Sequence, residues 1–121
     1  MAATEQHLSP DGLLKLVVDF TGGDWTIGFE SYPCHTHGDI LYAWGYQGSP
    51  ADATRAFVDD ILGSRRPIVV RRINGQIRDL DFPLELDLNE LRATLREDLE
   101  KYGEPAETFE VRYWDNRTPM E

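Results

Sequence analysis

The chain is 121 residues long, with 40% hydrophobic and 11% aromatic residues, enough to bury a core without staples and too apolar for a disordered protein. Its single cysteine excludes an internal disulfide framework. Twenty-two acids against twelve bases leave a net charge of −10, a field that repels nucleic-acid phosphates and favours cationic partners.

The opening residues carry neither the basic stretch nor the apolar core of a secretory signal. Residues 1–10 read as a loose, polar terminus. No apolar run approaches the roughly 20 residues of a membrane span. The expectation is a soluble, cytoplasmic protein with one domain over 11–115 and a polar tail at 116–121.

Leu13 to Phe20 reads as a strand, with Leu14, Leu16, Val18 and Phe20 on one face. Thr21-Gly22-Gly23-Asp24 supplies turn chemistry. Trp25, Ile27 and Phe29 alternate with polar or small neighbours, so a second strand closes a hairpin. Tyr42, Trp44 and Tyr46 alternate with Leu41, Ala43 and Gly45, which predicts a third strand with an aromatic stripe.

Ser49 then begins a helix as N-cap, with Pro50 at the first helical position and Asp52 in the first turn. Ala53, Phe57, Val58, Ile61 and Leu62 line one side, and Gly63 stops it. Pro67 to Phe82 reads as a hairpin around Asn74-Gly75. A two-residue turn scatters the apolar residues, so a three-residue loop with Gly75 at the left-handed position is expected, gathering Ile68, Val70, Leu80 and Phe82 on one face. Asp87 caps a second helix with Glu90 three residues on. Leu88, Leu91, Leu95, Leu99 and Tyr102 are its stripe, and Gly103 and Pro105 end it. Phe109, Val111 and Tyr113 mark a last strand. The order β-β-β-α-β-β-α-β predicts an α+β fold, with a mainly antiparallel sheet of about six strands and two helices packed on one face.

The densest chemistry lies at Cys34-His35-Thr36-His37-Gly38-Asp39. On an extended segment His35, His37 and Asp39 share one side, the start of a zinc or iron site that still needs a further ligand. Cys34 beside His35 has the residue types of a nucleophile and base, but such pairs converge from separate parts of a fold. Phosphate loops, dinucleotide fingerprints and nucleophile elbows are absent, so no catalytic residue and no cofactor is assigned. Arg65, Arg66, Arg71, Arg72 and Arg78 cluster around the second hairpin, where acids on neighbouring elements are their expected partners.

Acids on the two helices, with Asp52, Asp59 and Asp60 foremost, make a negative face, and Tyr42, Trp44 and Tyr46 are candidate anchors beside it. The sequence is therefore read as a non-enzymatic protein-binding domain. Its concrete form is an immunity or inhibitor protein that neutralises a cationic toxin or enzyme. The alternative is a small metal-binding protein or metal-dependent enzyme centred on His35, His37 and Asp39. The partner is another protein, basic in character, or a second copy in a homodimer, rather than nucleic acid or membrane.

Overall fold

The computed structural model describes residues 4–20, 24–32, 34–84 and 86–115. Residues 21–23 of the turn expected over Thr21–Asp24, and residues 116–121, expected as a polar tail, lie outside them. The described elements are β1 (Thr4–Leu8), β2 (Lys15–Asp19), β3 (Thr26–Phe29), β4 (His35–His37), a 3-10 helix (Gly38–Trp44), α1 (Pro50–Leu62), β5 (Ile68–Ile73), β6 (Gln76–Asp81), α2 (Leu88–Tyr102) and β7 (Glu107–Arg112). One antiparallel sheet has the order β1-β2-β3-β4 and another β6-β5-β7. The class is α+β, as the hairpin-dominated order predicts, with the strands divided between two sheets.

Period-two patterning places Leu14, Leu16, Val18, Ile27 and Phe29 in one core. Ala53, Phe57, Val58 and Ile61 of α1 enter the same core, as do Ile68, Val70, Leu80 and Phe82 from the second sheet. Ser49 caps α1, its hydroxyl accepting from the Asp52 amide at 3.1 Å. Gly63 follows the helix with φ −84, and the left-handed residue is Ser64 at φ 57.

The two helices do not share a face. β5 is apolar at three successive positions, and Val69 points away from Ile68 and Val70 to meet Leu91 and Leu95 of α2 and Val111 of β7. A central strand that is apolar on both faces needs cover on both. α2 supplies the second cover, capped by Asp87, which accepts from the Asn89 and Glu90 amides at 3.0 and 3.1 Å.

Three local expectations change. Residues Thr4–Leu8, read as loose, form β1 against β2, with His7 opposite Leu16 and Glu5 opposite Val18. This polar strand is held from outside its own pattern: Arg55 of α1 reaches both Glu5 carboxylate oxygens at 3.1 Å.

The aromatic stretch is a 3-10 helix, and only His35–His37 is strand. Gly38 makes the switch, because a Cβ there would lie 2.5 Å from Thr54 Oγ1 and 2.8 Å from the Pro50 carbonyl oxygen. Only glycine brings the chain this close to α1.

The second hairpin departs from the expected three-residue loop at its turn and keeps the expected register in its strands. Asn74 and Gly75, at φ 55 and 81, make a two-residue turn with Ile73 opposite Gln76. An irregularity between Arg71 and Arg72 then shifts the ladder, so that Arg71 faces Asp79 and Val70 faces Leu80. That bulge absorbs the extra residue and restores the apolar face.

Candidate interaction site

A 3-10 helix repeats every three residues, so side chains at i and i+3 eclipse. Gly38, Leu41 and Trp44 therefore share the inner edge, and Leu41 is fully buried. Asp39 and Tyr42 share an outer edge, with Tyr42 76% exposed. The third edge carries Ile40 and Ala43, both exposed. Trp44 and Tyr46 are half-buried, and each meets Phe57 edge-on, at ring separations of 5.5 and 5.6 Å. The three aromatics thus divide: Trp44 and Tyr46 fasten the segment, and Tyr42 stands free of the core.

α1 packs along this segment. Asp52, Arg55 and Asp59 fall on one face of it at spacings of three and four. Asp52 sits against Gly48, where a Cβ would come within 3.1 Å of its own Cβ. Asp39, Asp52 and Asp59 are exposed and form no ion pair among the described residues. Asp60 behaves differently. Its carboxylate accepts from the Tyr46 hydroxyl at 2.6 Å and from Arg65 Nε at 2.8 Å. Burial pushes the Asp60 carboxyl up, but those two donors and the Arg65 and Arg66 charges outweigh it, and the group ends below its ordinary range. The Tyr46 phenol is raised by burial and by its bond to Asp60.

The residue that sequence reasoning missed is Arg66. It is 3% exposed, with its guanidinium 5.2, 5.6 and 5.5 Å from the ring centres of Trp44, Tyr46 and Phe57. Nη1 donates to the Tyr46 hydroxyl at 3.2 Å and Nη2 to the Pro83 carbonyl at 3.3 Å. Cation–π contact with aromatic faces offsets part of the cost of burying a guanidinium. In the sequence Arg66 was one of five clustered arginines, and nothing local marked it as the buried one. Arg71 and Arg72 pair with strand acids, as expected: Arg71 Nε lies 3.2 Å from Asp81 and Arg72 Nη1 2.6 Å from Glu110.

His35 and His37 do face the same side of β4, their rings 5.0 Å apart and perpendicular. Asp39 has left the strand for the 3-10 helix, so it no longer shares the face of His35 and His37 by strand alternation. The His37 ring instead meets Asp24 at 3.0 Å and the Thr26 hydroxyl at 3.3 Å through Nδ1. Among the described residues no group of three or more His, Cys, Asp or Glu side chains is arranged to hold a metal ion. Cys34 is half-buried, and burial, with the Asp81 and Asp79 charges nearby, pushes its thiol up to about 11. A thiol held protonated is a poor nucleophile.

Among the described residues no helix is long and apolar enough to cross a membrane. Comparison of the chain with protein-family models, with curated proteins and with solved structures finds no match.

Proposed function

We propose that this chain is a non-enzymatic protein-binding domain that docks a basic protein through the 3-10 helix Gly38–Trp44 and the acids of α1. The observation that carries the reading is Tyr42, an aromatic residue left 76% exposed on a segment whose inner edge is fastened to the core. A large ring on a rigid support is the residue type that anchors protein interfaces, because little side-chain freedom is lost on binding. Asp39 on the same edge, with Asp52 and Asp59 on the adjoining helix, supplies negative charge that steers a cationic partner. The net charge of −10 extends that steering field beyond the contact.

The concrete form of the proposal is an immunity or inhibitor protein that covers a cationic toxin or enzyme. Its natural setting is the cytoplasm of the cell it protects. In this reading Asp60, Trp44 and Tyr46 hold the contact segment in shape rather than meeting the partner.

The test is affinity capture with immobilised wild type beside immobilised Tyr42→Ala, both shown to be folded. A basic protein held by wild type at low salt and lost from Tyr42→Ala is the expected result. Equal retention on both surfaces contradicts the proposed anchor.

A further inference from the structure

β1 ends the first sheet, and no described strand pairs with its outer edge. The Ser9 amide donates to the Leu14 carbonyl at 2.8 Å, and an antiparallel ladder alternates from such a pair. His7 and Glu5 therefore turn their backbone groups toward β2, and Thr4, Gln6 and Leu8 turn theirs outward. We propose that this edge pairs antiparallel with the same edge of a second copy, about a two-fold axis at Gln6, so that the two four-stranded sheets become one.

The sequence of β1 is self-complementary in that arrangement. Gln6 meets Gln6 of the second copy in a hydrogen-bonded pair, and Thr4 meets Leu8, whose 66% exposed side chain gains cover. Glu5 meets His7 of the second copy, and by symmetry the contact occurs twice. These are non-hydrogen-bonded pairs, in which Cα atoms approach to about 4.5 Å. Carboxylate and imidazole already bond in this way within one chain, Glu5 Oε2 to His7 Nε2 at 2.7 Å.

The other edges are less suited. β4 is three residues long, and β6 carries the register shift that bends an edge away from a partner. β7 centred on Phe109 would set Thr108 against Glu110, with no opposite charge to fix the pairing. Each copy also carries −10, so the dimer strengthens as salt screens the repulsion. A basic partner shows the opposite salt dependence, which keeps this inference separable from the docking function.

The experiment is sedimentation velocity across a concentration series, at low salt and at about 0.5 M. For wild type the mass should rise toward twice 13.8 kDa, further at high salt. Gln6→Pro removes an outward amide and spares the β2 ladder, a substitution that edge strands tolerate. Its far-UV circular dichroism should match wild type while it sediments as a monomer. Because a hydrogen-bonded pair holds Cα atoms about 5.5 Å apart, within disulfide reach, Gln6→Cys in a Cys34→Ser background should oxidise to a covalent dimer. A wild type that is monomeric throughout, a folded Gln6→Pro that still dimerises, or a Gln6→Cys chain that resists oxidative cross-linking each overturns the inference.

Discussion

Arg112 and Arg66 are both almost wholly buried, at 2% and 3% exposure, and their surroundings differ. Arg112 Nη1 donates to Asp11 at 2.8 Å, Nε to the Tyr113 carbonyl at 3.0 Å and Nη2 to the Trp114 carbonyl at 3.2 Å. That ties the turn after β1 to the end of β7 with full charge compensation. Among the described residues Arg66 has no bonded carboxylate and its Nε has no partner; a phenol, a carbonyl and three ring faces surround it. The first arrangement joins distant parts of the chain and serves stability. The second shapes one surface segment and, among the described residues, reaches acid through the Tyr46 hydroxyl to Asp60.

Breaking each region should therefore give different symptoms. Arg112→Met takes the cation from the exposed Asp11 and the donor from the Tyr113 and Trp114 carbonyls, and losing these three bonds should lower unfolding free energy by about 3 kcal/mol. Denaturant unfolding reads that loss, and the 3-10 segment should keep its native near-ultraviolet signal. Arg66→Met keeps some packing but loses the guanidinium stacking and two hydrogen bonds. It should lower stability by about 2 kcal/mol and change Trp44 fluorescence in the folded state. If Arg112→Met moved the Trp44 signal as much as Arg66→Met, the division of roles would fail.

Acid sharpens the same contrast at a smaller scale. Arg112 holds the Asp11 carboxyl well below the ordinary carboxylate range, with help from Ser9 and the Leu13 amide. Glu5 is lowered from 4.5 to about 2, first by its bond from Arg55 and then by His7. Both folded-state values lie below the unfolded ones, so this stabilisation is complete above about pH 4.5 and is lost as pH falls toward 2. Arg55→Gln should flatten the acid limb of a stability-against-pH curve. An unchanged acid limb in that variant would show that the β1 clasp contributes nothing to acid stability.

Much of the fold could be read from periodicity, because most elements obey local rules. Leu14, Leu16 and Val18 and the Ser49 and Asp87 caps each specify their own geometry, and Asn74-Gly75 marks the place of its turn. β1 could not be read in that way: Thr-Glu-Gln-His-Leu has no apolar period and is placed by β2 and Arg55. Tyr42, Trp44 and Tyr46 fit a period of two by sequence, yet the close approach at Gly38 imposes a period of three. That change turned a supposed stripe into two fastened rings and one exposed one. In the candidate site, Asp60 looks like Asp52 and Asp59 by sequence, because its charge is visible there and its bond to Tyr46 is not. Arg66 was hidden for the same reason, since only the fold decides which of several arginines is enclosed.

The exposed acids and Tyr42 are the part of the account most open to direct test. Once a partner is in hand, its association rate should be measured against wild type and Asp52→Lys/Asp59→Lys at low salt and at about 0.5 M. Steering by these two acids predicts association slowed by about tenfold at low salt, with the two chains converging at high salt. Equal low-salt rates would contradict the acidic face of α1 as the approach to the docking surface.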